Sequence, residues 1–242
     1  MELIVEDSPR PTARTVGFVY LLYFATALIG GFLVKGLVVY TDPVATTNNL
    51  LAHESLYRAG FAVGLLGNAV YVALTALLYG LLAPVNRSIS LVAAFLSLVG
   101  CAVQIFSGIL QLAALALLGD SQHLLSGFSL LQLRQTALMS LQFYAQTFQI
   151  SFVMFALFDL VLGYLIYKST YLPRILGVFW LIAGVGGLTF LWAPLAKALW
   201  PYALLPAGLA EIGLTLWLLV RGVDLPKWRE RAVPTSSRPA LV

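Results

Sequence analysis

The stretch QTALMSLQFYAQTFQISFVMFALFDLVLGYLIY, Gln135 to Tyr167, runs for 33 residues with one charged side chain, Asp159. About 20 consecutive apolar residues are enough for a helix to cross a hydrocarbon core of roughly 30 Å. This segment can therefore span a bilayer and must tilt or project beyond it. A barrel strand would alternate apolar and polar residues, which this run does not do. Lipid offers no water to satisfy backbone N–H and C=O groups, so a helix is the conformation that remains.

Working outward, five more apolar runs have spanning length: Thr15 to Tyr40, Leu56 to Leu82, Ile89 to Gly119, Ile175 to Ala196, and Ala203 to Val220. The composition agrees, with 60% hydrophobic and 10% charged residues and a mean hydropathy of +0.92. Soluble domains carry about 25% charged residues. The fold class expected is all-α, a polytopic integral membrane bundle of six transmembrane helices over residues 15–221. Residues 1–14 read as a tail, and residues 222–242 as a basic tail expected to be disordered. Arg10 and Arg14 before the first run also resemble the start of a secretory signal. The run is longer than a signal core and leads through Lys35 straight into more apolar sequence, so it reads as a retained span.

The net charge of +4 does not point to nucleic acid, because the basic residues gather at span ends and in the tail. Alternating sides places Arg10, Arg14, Arg87, Lys168, Arg174, Arg221, Lys227, Arg229, Arg231 and Arg238 on one face, against Lys35, Arg58, Arg134 and Lys197 on the other. By the positive-inside bias both termini are expected to be cytoplasmic. A single cysteine, Cys101, excludes an intrachain disulfide and a thiolate metal cluster.

Between the first two runs, Asp42 and Pro43 supply a helix cap and a first-turn proline. The segment Val44 to Tyr57 is then an amphipathic outer helix, with Leu50 and Leu51 on one side, expected to lie on the membrane surface. Trp192, Trp200 and Tyr202 read as an aromatic belt, and Pro194, Pro201 and Pro206 as kinks.

Four strings carry a family resemblance: ARTVGFVYLL from Ala13, NNLLAHESLYRAGF from Asn48, APVNRSISLVAAF from Ala83, and GYLIYKSTYLPRILGVFWLIAGVGG from Gly163. From about Arg10 to Arg221 the chain resembles a bacterial multi-spanning membrane family catalogued as domain of unknown function 4386. The resemblance implies about six helices and a bacterial cell (inner) membrane location. It implies no activity, cofactor or catalytic residue.

Charged groups at bilayer depth are costly and tend to have a role. Asp159 lies nine residues before Lys168 and Glu211 ten before Arg221. At about 1.5 Å per residue both sit roughly 14 Å inside the same boundary, on the fourth and sixth spans. No lysine or arginine is available at that level, since Lys35 and Arg58 lie near the opposite ends and can snorkel. The pair reads as a binding or proton-coupling site, or as interhelical glue. Polar stripes add Asn68, Tyr71, Thr75 and Tyr79 in the second span, Ser97, Gln104 and Gln111 in the third, and Gln142, Gln146 and Gln149 in the fourth. Facing one another they would form a polar cleft; packed, they would be amide hydrogen bonds between helices.

His53, Glu54, Asp120 and His123 fall on the outer side and have the chemistry of a surface metal site, though solvated loop histidines are the ordinary reading. No phosphate-cradling loop or nucleophile elbow is present, and no histidine lies within the spans to activate a serine.

The reading is of a non-enzymatic protein that holds a small amphiphile, lipid or cofactor of unknown identity, or serves as an accessory subunit of a membrane complex or a homo-oligomer. The alternative is a small proton-coupled transporter using Asp159 and Glu211. A third reading, a lipid-modifying enzyme, would use Asp42, His53, Glu54, Asp120 and His123.

Overall fold

The computed structural model describes residues 9–119, 127–199 and 202–232. Its helices are α1 (Pro9–Val34), α2 (Pro43–Ala52), α3 (Glu54–Leu82), α4 (Arg87–Leu118), α5 (Leu130–Lys168), α6 (Arg174–Gly187), α7 (Ala193–Leu199), α8 (Leu205–Val220) and α9 (Leu225–Ala232). Short 3₁₀ turns at Leu188–Leu191 and Tyr202–Leu204 precede α7 and α8. Six helical segments, Ala13–Val34, Glu54–Leu82, Arg87–Leu118, Leu130–Lys168, Arg174–Leu191 and Tyr202–Val220, are long and apolar enough to cross a membrane.

Several boundaries differ from those expected, the fourth span among them, which starts at Leu130 and not Gln135. The first span ends at Val34 and not Tyr40, because the chain turns through Gly36 at φ 78°, a left-handed conformation that glycine adopts without a Cβ penalty. The fifth span stops its α-helix at Gly187, tightens into a 3₁₀ turn, and restarts as α7 with Pro194 in the new first turn. Pro206 likewise sits in the first turn of α8, where its missing N–H costs nothing. It starts that helix and does not kink it.

Two compact units divide the chain. The first draws on Met1–Leu21, Val72–Val99 and Phe152–Val242. In it α6 packs along α8, and α6 meets α5 through glycine. A Cβ on Gly163 would fall 2.8 Å from the Gly177 carbonyl oxygen, and one on Gly184 2.6 Å from Leu160. Small residues let helix backbones approach this closely where lipid supplies no hydrophobic drive. Trp180 is fully buried and meets Phe158 edge-on at 6.2 Å.

At one end of this unit α9 is latched by hydrogen bonds. Tyr171 Oη and Trp228 Nε1 both donate to the Leu81 carbonyl, at 2.8 and 3.3 Å, and Asp224 N–H donates to the Tyr171 carbonyl at 3.3 Å. Leu81 lies in the last turn of α3, where a carbonyl has no partner within its own helix.

The second unit comprises Leu22–Tyr71 and Gly100–Ser151. Its core gathers Leu37, Leu50, Tyr57, Ala114, Leu118 and Leu141. Asp42 caps α2 as its sequence requires, accepting from Val44 N–H and Ala45 N–H at 2.9 Å each. Thr46, Thr47 and Leu50 are buried while Leu51 stays exposed, so α2 packs into the unit along the side those three share. The helix breaks at His53, and α3 begins at Glu54. Tyr57 Oη donates to the Gln111 carbonyl and Ser140 Oγ to the Leu110 carbonyl, tying α3 and α5 to α4.

Candidate functional site

The α5 face against α6 is set by Ala156, Leu160, Gly163 and Tyr167, at the three- and four-residue steps of one helix side. Asp159 stands three residues after Ala156 and four before Gly163, at the edge of this contact, and is 8% exposed. On α8, Gly213 lies against Leu176 of α6, and Ala210 and Leu214 are buried. Glu211 is one residue off that buried stripe and half-buried. Thr215 Oγ1 donates to its backbone carbonyl at 2.7 Å.

The carboxyls act on each other electrostatically, a like-charge relation with no cation in it. Among the described residues no hydrogen bond or ion pair reaches either carboxyl. Lys35 is exposed, and Arg58 is also exposed, held by Glu54 at 2.7 Å. Among the described residues, helix packing therefore supplies these two acids with neither a counter-ion nor a donor. That arrangement is costly in a low-dielectric setting unless a proton, a cation or a donor group arrives from outside.

Next to Asp159 in sequence, Phe158 lines a small cavity with Thr75, Tyr79, Ser90, Leu162 and Leu165. It holds room for about one water molecule. Thr75 and Ser97 are hydrogen-bonded to each other at 2.7 Å, both buried, a polar contact between α3 and α4.

The remaining polar candidates belong to the second unit. Asn68 donates through Nδ2 to the Gly64 carbonyl at 3.1 Å, and its buried Oδ1 has no partner among the described residues. Gln104 is half-buried and Gln111 buried. Gln142, Gln146 and Gln149 are exposed, together on one side of α5. The residues weighed as metal ligands are separately engaged: Asp42 caps α2, Glu54 pairs with Arg58, and His53 Nδ1 lies 3.2 Å from the Asn49 carbonyl. Asp120 and His123, like Trp200 and Pro201, lie outside the described residues. Among the described residues no three histidine, cysteine, aspartate or glutamate side chains gather as metal ligands.

Sequence reasoning missed the glycine crossing that frames Asp159. Its signal was present in Gly163, Gly177, Gly184 and Gly187, a run of small residues on two neighbouring apolar helices.

No curated protein and no solved structure matches the chain. The family model described as Domain of unknown function (DUF4386) matches residues 15–222. That match takes in all six apolar spans but for the first residues of the first, and the chain belongs to this family of membrane-spanning proteins.

Proposed function

We propose that this protein is a non-enzymatic component of the bacterial inner membrane that holds a small amphiphile against Asp159 and Glu211. The observation that carries the reading is the acid pair itself, set into apolar helices and, among the described residues, without a cation or hydrogen-bond donor. A ligand headgroup with N–H or O–H donors meets that need. Half-buried Glu211 is the member that such a molecule reaches first. The basic span ends support an orientation with both termini in the cytoplasm. The same chemistry suits an accessory subunit that carries its ligand within a larger assembly.

A second reading is proton-coupled transport. It is favoured by the electrostatic coupling of two acids that share no hydrogen bond, so that a proton on one changes the charge cost of the other.

Native mass spectrometry, with extraction of lipids and small molecules, tests both on wild type, Glu211→Gln and Asp159→Asn. A stoichiometric amphiphile present in wild type and lost in both variants supports the binding role. An empty wild type that shows pH-dependent flux in proteoliposomes, abolished by either substitution, supports transport. An empty protein without flux overturns both.

A further inference from the structure

Helix α5 carries a second feature, independent of the acid pair. Gln135, Met139, Gln142, Gln146 and Gln149 follow one another at steps of four, three, four and three residues. That is the spacing of a coiled-coil seam, the pattern by which one helix packs its knobs into the holes of another. All five side chains are exposed. The opposite side of the same stretch is the packed one, with Leu133, Ala137 and Leu141 buried. Among the described residues of the second unit, packing occupies one face of α5 and leaves the heptad seam exposed.

The seam suits neither solvent. In lipid its four amides would lack partners, at a cost of about 1 to 3 kcal/mol for each unsatisfied group. In water the flanking Phe143 and Ile150, 48% and 57% exposed, would be misplaced along with Met139 at 50%. A mixture of amides and large apolar groups is the composition of a protein contact.

We infer that the α5 glutamine seam is a homodimer interface, closed by the same seam of a second copy. Three properties select this occupant. An amide is both donor and acceptor, so a row of glutamines is complementary to itself. No charged residue lies between Arg134 and Asp159, so like meets like without repulsion. Two copies inserted in one membrane with the same orientation are related by a two-fold axis along its normal, which makes the two α5 helices parallel and sets each glutamine beside its counterpart. In parallel coiled coils a buried amide at such a position fixes register and partner number.

The test uses the full chain in native membranes with Cys101→Ser, which removes the one cysteine. Gln142→Cys, Gln146→Cys and Gln149→Cys are oxidised beside Leu28→Cys, a control 74% exposed on α1. The expected result is a product of about 52 kDa, twice the 26.2 kDa chain, at least about fivefold stronger for the seam positions than for the control. Equal yields at all positions, no product, or a product whose mass betrays a different chain would overturn the proposal. Charge variants give an independent readout by native mass spectrometry. Gln146→Glu and Gln146→Lys are each expected to be monomeric alone, and together to form a mixed dimer. If wild type is monomeric, or if the mixture stays monomeric while wild type dimerises, the seam is not the interface.

Discussion

Gly163 and Gly177 meet backbone to backbone: a Cβ on Gly177 would lie 2.7 Å from the Gly163 carbonyl oxygen and 2.6 Å from the Tyr167 amide nitrogen. No flexible side chain is there to yield. Gly177→Ala is expected to destabilise the protein by about 1 to 3 kcal/mol, the usual cost of overpacking. Gly64→Ala, where a Cβ meets nothing within 4 Å, is expected to be neutral or to stabilise by up to about 1 kcal/mol through helix propensity. Unfolding in mild detergent compares the two, and equal losses would remove the glycine crossing as an explanation.

Asp159 gives the opposite expectation for a buried residue. Because its carboxyl has no partner among the described residues, Asp159→Asn is expected to leave stability unchanged or raise it by about 1 kcal/mol or more, while bound ligand or flux is lost. Thermal melting of the purified variant measures this. A fall of about 2 kcal/mol would assign the acid to holding helices together.

The shared carbonyl of Leu81 predicts a local effect. Burial pushes the Tyr171 phenol above its ordinary range, so it stays a donor throughout the neutral range. Tyr171→Phe removes one of the two hydrogen bonds, worth about 1 kcal/mol. Amide exchange over 225–232 should then quicken about fivefold, with little change in the core of the second unit. Unchanged exchange would mean that α9 is held by other contacts.

Asp224 sets how α9 responds to acid. Its carboxyl is held below the ordinary aspartate range by hydrogen bonding to Lys227, whose Nζ lies 3.0 Å away. A lowered folded-state value means that the stabilisation is complete above the unfolded value of about 3.9 and is lost as pH falls through the lower one. Protection of α9 should therefore persist at pH 5 and weaken well below pH 4, and Asp224→Asn should abolish that acid transition. A transition near pH 6 would point to a different group.

Much of the fold was legible because lipid narrows the choices: an apolar run of 20 or more residues can be little else than a helix. The six spans follow from that alone, and the Asp42 cap from an aspartate set just before a first-turn proline. Boundaries were harder. Gly36 ends the first span by a backbone conformation that apolarity does not encode, and Pro206 was read as a kink when its position in the first turn makes it a helix start. The spacings of Asp159 from Lys168 and of Glu211 from Arg221, nine and ten residues, set the two acids at one depth as an expectation. The glutamines of α5 were legible as a stripe, but periodicity does not say which side of a helix its own bundle will cover. Leu50 and Leu51 show the same limit: adjacent leucines of equal hydropathy, one at 0% and one at 42% exposure.

The carbonyl of Leu81 takes its partners from far along the chain. Tyr171 is 90 residues further on and Trp228 is 147, so during synthesis the last turn of α3 is made well before either donor, and Tyr171 is available first. A single acceptor thus gathers three distant parts of the sequence at one point.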